Sequence, residues 1–442
     1  MVRLPIIAAK RHWAFCSSAS KSSMNIVLPD RNGNAIINAV QMWRTQLYCI
    51  FYCERSVPPG RKRLIQMSYI KNKLQEIIKK EKVLVIAAIA AVVSMFFVPP
   101  SMAYMEYIDV RVLCLLFSLM AVVAGFQSCR VFEAMAQKML TGEKKLRTIG
   151  WVLVALPFFT SMLITNDVAL ITFVPFTMLV LKMVGGEKEA ALIVVLQTVA
   201  ANLGSMATPF GNPQNLFLYA NYNMTGSEFF GTVLPLAIVS FIAIWLCGFM
   251  VTSREIRVSF NGKACIQNKG RLGVYAILFV LCLLAVLRIA PYWMVTAMVA
   301  IALLILDRKL LLKVDYALLL TFICFFIFAG NMGEISAVKS FLAGIMEQNA
   351  LLTSALASQV ISNVPAAVLL SEFTENGREL LAGVNIGGLG TPIASLASLI
   401  SLKLYSADAN AATGGTGRYM KLFIIFNVVG LGLLLGFQML IG

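Results

Sequence analysis

The chain has 442 residues, of which 59% are hydrophobic and only 13% are charged, and its formal net charge is +16. Because a soluble domain is about half apolar and a quarter charged, this composition excludes a soluble globular protein and indicates a polytopic membrane protein. The excess of Lys and Arg is then expected in cytoplasmic loops, which argues against nucleic acid as a partner.

Residues 1–66 are basic and mixed in polarity, and they lack the apolar core and cleavage site of a signal peptide. We interpret them as a basic cytoplasmic extension. The alternative is that they are not native, because Met67 opens a basic amphipathic lead-in that runs to residue 82. The single histidine, His12, lies in this extension, and the nine cysteines show no metal-ligand spacing, so no His-based metal site or catalytic triad is expected.

From residue 83 onward, about nine apolar stretches are long enough to cross a bilayer, which takes about 20 residues. Lys and Arg concentrate in alternate loops, for example at Lys144 and Lys145 and again between Arg254 and Arg271. The positive-inside rule then predicts a multi-pass protein of the plasma membrane, with a cytoplasmic N-terminus and an extracellular C-terminus. The predicted spans are 83–98, 110–128, 190–220, 231–251, 273–289, 292–307, 316–331, 380–405 and 420–441.

Two further apolar segments do not fit simple alternation, because both flanks of each lie on the same side of the membrane. They are residues 150–184, between basic loops, and residues 349–372, between outer loops. We predict two re-entrant helical hairpins with polar tips, at Thr165-Asn166-Asp167 and at Ser362-Asn363-Val364-Pro365. Each hairpin follows a short amphipathic stretch that is expected along the membrane interface. These stretches are Val131–Leu140 and Val338–Met346.

Two polar stretches interrupt predicted spans at matching positions, from Asn202 to Asn215 and from Asn385 to Ser398. Each contains glycines and a Thr-Pro pair that loosen the helix, and Asn, Ser and Thr side chains that supply oxygens. Unwound polar backbone is tolerated in a membrane only where it is buried in protein or lines a wet cavity. Matching breaks in two halves are the best sequence indication of a transporter's binding site.

The order of these elements predicts two repeats, residues 83–251 and 292–442, joined by a linker loop and connecting span at 252–291. Each repeat has two spans, a hairpin, a broken span (190–220 or 380–405) and a closing span. The connecting span inverts the second copy. We therefore expect an all-α polytopic membrane protein with inverted-topology repeats, a design typical of secondary transporters.

Asp167 is the one acid between Glu143 and Glu187, and a carboxylate at membrane depth is costly enough to suggest a function. Together with Asn166 and Asn363 it offers a candidate Na⁺ site, because hard cations prefer oxygen ligands. It could instead bind and release a proton. The structural alternative is that Asp167 caps the helix that follows it.

The second tip has no acid, so Ser362 and Asn363 are expected to bind a substrate carboxylate, helped by the positive end of the helix that begins near Pro365. An ordinary capped turn is the alternative there. For single polar residues of the breaks, the alternative is hydrogen bonding between helices. The candidate substrate- and ion-binding residues are Thr165, Asn166, Asp167, Asn202, Thr208, Pro209, Gly211, Asn212, Asn215, Ser362, Asn363, Asn385, Gly390, Thr391 and Ser395.

The segment Leu163–Phe176, with Asn202–Asn215 and Ser362-Asn363, resembles the citrate-transporter-like, divalent-anion/sodium symporter group of the ion transporter superfamily. The resemblance runs from about Lys80 to the C-terminus. It implies that the two tips and the two unwound helices form the sodium and carboxylate sites. It also implies that each hairpin-bearing transport domain moves like an elevator against a scaffold that is usually dimeric.

The sequence departs from that family pattern at both tips. Asp167 stands where the symporters carry a Thr, and Val364 replaces the other Thr. The lost hydroxyl weakens the case for carboxylate binding. The added acid favours cation or proton handling, as in the similar arsenite-efflux and sodium/proton antiporter permeases.

These features predict an ion-coupled secondary active transporter of small anions, di- or tricarboxylates such as citrate. The alternative is an arsenite efflux permease or a sodium/proton antiporter. No ATP-hydrolysing signature is present, so a gradient of Na⁺ or H⁺ is expected to drive transport without a cofactor. An intramembrane enzyme, a sensor and a channel are weaker hypotheses, because neither a nucleophile–base pair nor identical pore-lining segments are evident. Expected partners are the anionic substrate, the lipid bilayer and a second copy of the chain.

Overall fold

The computed structural model of the chain describes residues 81–260, 262, 264–408 and 415–441. The predicted extension 1–66 and nearly all of the predicted lead-in 67–82 lie outside the described residues. Within the described part the chain is mostly helical.

Nine helices form the part of the chain that corresponds to the first predicted repeat. Their bounds are α1 (Lys82–Ser94), α2 (Tyr104–Tyr107), α3 (Val110–Ser128), α4 (Val131–Leu140), α5 (Leu146–Thr160), α6 (Asn166–Met183), α7 (Ala190–Ser205), α8 (Pro213–Asn221) and α9 (Gly226–Cys247). Helices α5 and α6 form a helical hairpin, which we call hairpin 1. Residues 206–212, between α7 and α8, are called break 1.

The linker and the second predicted repeat contribute eight more described helices. Their bounds are α10 (Lys269–Val286), α11 (Tyr292–Leu306), α12 (Tyr316–Glu334), α13 (Ser336–Ile361), α14 (Asn363–Leu370), α15 (Gly377–Ile386), α16 (Leu396–Asp408) and α17 (Gly415–Ile441). The part of α13 that follows residue 349, together with α14, is called hairpin 2. Residues 387–395, between α15 and α16, are called break 2.

Six of the described helices are long and apolar enough to cross a membrane: α3, α6, α9 with the turn that follows it, α10, α12 and α17. Four shorter apolar helices, α1, α5, α11 and α16, accompany them. The chain is therefore a helical, multi-pass membrane protein, as its composition predicts. The count of about nine spans and the inverted repeat stay predictions.

Local sequence signals explain where several helices begin. Asp109 accepts a hydrogen bond from the backbone N–H of Val112 at the start of α3. Thr225 and Glu228 form a capping box at the start of α9. Asn212 caps α8, with Pro213 at the first helical position, where its missing N–H leaves no bond unmade. These caps satisfy N–H groups that have no partner within the helix.

Helix α7 lies at the centre of the molecule, because every residue from Ala190 to Ser205 is buried. A helix that is apolar on all sides belongs in such a position. Its polar exceptions, Gln197, Thr198, Asn202 and Ser205, are also fully enclosed, so each needs a hydrogen-bond partner inside the protein.

The two hairpins pack on the broken helices in a crosswise manner. Helix α5 of hairpin 1 packs on α7, and α13 of hairpin 2 packs on α15. The return helices cross over: α6 contacts α16, and α14 contacts α8. Helices α1 and α12 pack together, as do α3 and α11. Each hairpin therefore rests against both broken helices, which brings the two tips and the two breaks into one region.

The predicted interfacial stretches occur as helices, but in two different forms. The first, Val131–Leu140, is a separate helix with the predicted bounds. The second is continuous with hairpin 2 within α13 and is set off from it by a kink at Asn349, whose φ is −162° and ψ is 91°. The Asn349 side chain accepts a hydrogen bond from the backbone N–H of Leu352, so it caps the helix that follows the kink.

A two-stranded antiparallel ribbon is a feature that the sequence reasoning missed. Strand β1 (Gly142–Lys145) pairs with β2 (Glu255–Val258). The loop before β2 also contacts hairpin 1: Arg254 donates hydrogen bonds to the carbonyls of Val184 and Gly185, beyond the end of α6. The all-α class is thus confirmed, with the addition of one short sheet that joins the loops at the base of hairpin 1.

Candidate functional site

The tip of hairpin 1 is the turn that leads into α6. Thr165 occupies the N-cap position and Asn166 begins the helix. Asn166 is buried, and its side-chain amide donates to Asn202 Oδ1 at 3.0 Å. The predicted tip is therefore placed correctly along the chain, and Asn166 joins it to α7.

Asp167 is the second residue of α6, so the hypothesis that it caps this helix is wrong. No side chain caps α6, and Asp167 takes part only through its backbone N–H, which donates to Asn166 Oδ1 at 3.0 Å. Among the described residues, no hydrogen bond or ion pair engages the half-buried Asp167 carboxylate. The carboxylate is thus available to a cation or a proton.

The tip of hairpin 2 holds a strained residue. Ser362 has φ 74° and ψ 154°, a conformation that non-glycine residues rarely adopt and that costs about 1–3 kcal/mol. Two hydrogen bonds to the Ala394 carbonyl support it, from Ser362 Oγ at 3.2 Å and from the Asn363 backbone N–H at 2.9 Å. The second tip is therefore fixed directly to break 2.

The two broken helices exchange reciprocal side-chain hydrogen bonds. Asn202 Oδ1 accepts from Ser395 Oγ at 3.0 Å, and Asn202 Nδ2 donates to Ser398 Oγ at 3.3 Å. In the opposite direction, Asn385 Oδ1 accepts from Asn212 Nδ2 at 3.1 Å, and Asn385 Nδ2 donates to Asn215 Oδ1 at 2.7 Å.

These reciprocal bonds follow the register of the two polar stretches. The number of residues between Asn202 and Asn212 equals that between Asn385 and Ser395. Each Asn at the start of one stretch therefore bonds the matching positions of the other stretch. One helical turn deeper, Thr198 and Ser401 lie 2.6 Å apart between their hydroxyl oxygens and extend the same contact.

Each Thr-Pro pair is also attached to a hairpin. Thr208 Oγ1 donates to the Met162 carbonyl at 2.7 Å, and Thr391 Oγ1 donates to the Gln359 carbonyl at 3.0 Å. Pro209, beside Thr208, is buried. The hydroxyls of both pairs thus point to protein carbonyls of the hairpins.

Close backbone approach explains two of the predicted glycines. A Cβ on Gly211 would collide with the backbone carbonyl of Ser205, and Gly390 combines a φ of +103° with contact to the Gln359 side chain. Gly204 is equally constrained, since a Cβ there would collide with the Phe158 carbonyl of hairpin 1. Gly204 and Gly211 need glycine because the backbone that they approach cannot move aside, whereas Gly390 needs it because of its positive φ.

Most of the predicted residues form one buried polar cluster. Asn166, Asn202, Asn212, Asn215, Asn385 and Ser395 are linked through their side chains, and Ser362 and Asn363 donate to the Ala394 carbonyl of break 2. Thr208 and the exposed Thr391 join the breaks to hairpin carbonyls beside this cluster. Thr165 and Asp167 stand at the edge of this cluster. Within the described chain, no group of three or more His, Cys, Asp or Glu side chains is placed to hold a metal. The available ligands are amide, hydroxyl and carbonyl oxygens with one carboxylate, which suit a hard cation.

Two glutamines, the buried Gln197 and the half-buried Gln359, were missed by the sequence reasoning. Gln197 Nε2 donates to the Leu153 carbonyl and to Thr177 Oγ1, both at 2.7 Å, and joins α7 to both helices of hairpin 1. Gln359 reaches break 2 from α13. The available signal was a polar amide inside an otherwise apolar segment, since such a group must find partners in the protein.

Comparisons with known proteins agree with this architecture. Residues 72–376 match the family model described as "Citrate transporter", a range that includes both tips and break 1 and ends before break 2. An uncharacterized transporter of Methanocaldococcus jannaschii is 33% identical over 315 residues, which is 70% of this chain and 86% of that protein. The inner membrane protein YbiR of Escherichia coli is 28% identical over 313 residues, 70% of this chain and 84% of that protein.

Proposed function

The chain belongs to the citrate transporter family and is a secondary transporter, and we propose that it carries a small di- or tricarboxylate, such as citrate, coupled to Na⁺ or H⁺. The observation that carries this proposal is the buried cluster in which each hairpin tip is bonded to one broken helix and the two broken helices are bonded to each other. The Asp167 carboxylate at the edge of this cluster is costly at membrane depth, which indicates a function.

The substrate carboxylate is assigned to the second tip. Ser362 Oγ and the Asn363 N–H both donate to one acceptor, the Ala394 carbonyl oxygen. A carboxylate oxygen has the same acceptor character and adds a negative charge, which the N-terminus of α14 favours. On binding, a substrate carboxylate oxygen would replace the Ala394 carbonyl oxygen as the acceptor for Ser362 Oγ and the Asn363 N–H, which are already oriented.

The coupling ion is assigned to the first tip. The Asp167 carboxylate engages no partner in the described chain, and it follows directly on Asn166 in the cluster. A bound Na⁺ would take oxygens from Asp167, Asn166 and, across the site, Asn363. A proton at Asp167 would serve the same role in a proton-coupled cycle.

We further propose inverted repeats that move as an elevator within a homodimer. The reciprocal bonding of Asn202 and Asn385 supports the repeats, since a twofold axis through the cluster would produce it. The crosswise packing of α6 on α16 and of α14 on α8 supports the same relation. With hairpins and breaks packed as one block, motion of the whole block is the simplest way to keep these contacts.

A second candidate is efflux of arsenite or exchange of sodium against protons. The observation that favours it is Asp167, an acid at a tip where carboxylate carriers need a neutral hydroxyl. Under this hypothesis the acid alternates between a cation and a proton, and no carboxylate substrate binds at Ser362.

Uptake by proteoliposomes tests the proposal. Purified protein should take up labelled citrate or succinate when an inward Na⁺ or H⁺ gradient is imposed, and Asp167→Asn should reduce this uptake to the level of empty liposomes while the protein stays folded. Asp109→Asn is the matched control: it removes one acid but keeps a side-chain oxygen that can cap α3. Gradient-driven uptake that survives Asp167→Asn would contradict the ion assignment. Cation movement without any carboxylate uptake would favour the exchanger.

A further inference from the structure

Gln359 joins hairpin 2 to the unwound backbone of break 2. It lies on α13, one helical turn before the tip residue Asn363. Its Nε2 atom is 2.8 Å from the Gly387 carbonyl oxygen and 2.9 Å from that of Leu389, with the Ala355 oxygen at 3.1 Å. Three carbonyl oxygens thus converge on one nitrogen.

The surroundings fix which way this amide points. The other end, Oε1, accepts the backbone N–H of Thr391 at 2.9 Å. Reversal would place Oε1 against carbonyl oxygens and Nε2 against an N–H, which loses every bond. Gly390, with a φ of +103°, has no room for a side chain because Gln359 occupies that space. The break is therefore shaped around this one side chain.

Converging carbonyl oxygens in unwound membrane helices attract a positive partner. In broken-helix transporters such carbonyls commonly coordinate the coupling cation. At break 2 the partly positive N–H groups of Gln359 already meet the two carbonyls of the break, without a full charge and without an ion to bind or release.

The first half differs from the second at the positions that correspond to Gln359 and Val364. Thr208 bonds the Met162 carbonyl as Thr391 bonds the Gln359 carbonyl, so Met162 stands where Gln359 stands. Methionine has no hydrogen-bond donor to replace a cation. The first tip instead carries the acid Asp167, at the position that Val364 occupies in the second tip. Negative charge is thus present in one half, and a built-in neutral donor in the other.

We propose that Gln359 takes the place of a bound cation at break 2, so that this transporter has one coupling-cation site, at the Asp167 tip. The inference deepens the proposed function and rests on it for the role of Asp167. It also assigns Gln359 as a positioning residue that holds hairpin 2 and break 2 together through the transport cycle.

Thermal unfolding of the purified protein, titrated with NaCl against choline chloride at constant ionic strength, tests this inference without any transport assay. In Gln359→Glu a carboxylate faces the two carbonyls, and a bound cation is needed to offset their repulsion. We expect this variant to be destabilised in choline and to recover by several degrees as Na⁺ saturates. That response should persist in Asp167→Asn/Gln359→Glu, whereas Asp167→Asn alone should show none.

Four results would overturn the inference. One is a sodium response of Gln359→Glu equal to that of the natural sequence. Another is a sodium response that remains in Asp167→Asn, which would place a cation elsewhere. The third is failure of Gln359→Glu to fold at any Na⁺ concentration, because a cation should restore the break. Gln359→Met, which copies the first half, should lower the melting temperature; an unchanged value would show that the amide does not hold the break. Absence of carboxylate uptake would refute the proposed substrate and leave these outcomes unaffected.

Discussion

The two breaks satisfy their unwound backbone by different routes. At break 1, Asn215 of the adjoining α8 donates to the Met206 and Thr208 carbonyls, each at 3.0 Å. At break 2 the backbone carbonyls accept hydrogen bonds from Gln359, which belongs to hairpin 2. Break 1 is therefore complete within its own broken helix, whereas break 2 loses its partners if hairpin 2 moves away. Hairpin 2 is thus needed to satisfy the carbonyls of its break, whereas the carbonyls of Met206 and Thr208 do not depend on hairpin 1.

The largest loss of stability is expected at Gly204, where α7 packs closely against the backbone of hairpin 1. Gly204→Ala should destabilise the protein by about 3 kcal/mol or more, because the new Cβ meets the Phe158 carbonyl of hairpin 1. Gly387→Ala, the matching change in the second half, should cost less, since its Cβ would lie 2.8 Å from the Gly383 carbonyl oxygen and the Ser358 side chain, whereas the Cβ on Gly204 would overlap the Phe158 carbonyl more deeply. Thermal unfolding in detergent measures both. Gly436→Ala, in open space on α17, is the control and should not change stability. Equal costs for Gly204→Ala and Gly387→Ala would contradict the expected difference between the two halves.

The next prediction concerns the reciprocal asparagines. Asn202→Ala and Asn385→Ala should each cost about 2 kcal/mol, because buried partners lose their hydrogen bonds. No side chain is hydrogen-bonded to both Asn202 and Asn385, so the double variant should cost the sum within about 0.5 kcal/mol. Chemical denaturation of the single and double variants gives the coupling energy. A large coupling would mean that the two sets of bonds act as one unit.

A smaller effect is expected at the base of hairpin 1, where the ribbon lies. Arg254→Gln removes two hydrogen bonds to carbonyls beyond α6 and should cost about 1 kcal/mol or less, because the site is exposed. Hydrogen exchange of the amides near Gly186 should become faster. Arg257→Gln is the control on the same ribbon, since its exposed pair with Glu143, at 3.9 Å, contributes little. Equal exchange in both variants would argue against a specific role for Arg254.

The smallest effects are expected at the two Thr-Pro pairs. Thr208→Val should cost about 1 kcal/mol and Thr391→Val about 0.5 kcal/mol, since each loses one hydrogen bond to a hairpin carbonyl and Thr391 is the more exposed. Melting temperatures of the two variants give the order. The reverse order would mean that the bond to hairpin 2 is the stronger one.

The sequence predicted the elements of the site better than their partners. Polar residues and prolines in apolar runs located both tips and both breaks, because an unsatisfied backbone is not tolerated inside a membrane. The bounds of α4 and the kink at Asn349 were also recoverable from amphipathic periodicity and from the end of the predicted hairpin.

What escaped prediction depends on contacts between distant segments. The pairing of Asn202 with Ser395, the reach of Gln359 into break 2 and the strand pairing of β1 with β2 join residues far apart in sequence. Asp167 was weighed as a helix cap, but Thr165 holds that position, two residues earlier than the prediction. Helix boundaries shift by a residue easily, whereas the chemistry of a cap depends on the position itself.

Because α7 is enclosed, cysteines introduced into it can report changes in solvent access. With Ala190 to Ser205 hidden from both lipid and water, a cysteine introduced there has no route to a thiol reagent while the protein rests in this conformation. Labelling that appears only when substrate and ion are supplied would trace the path they take, residue by residue. The fully buried helix α7 is thus well suited to detect the opening of a path for substrate and ion.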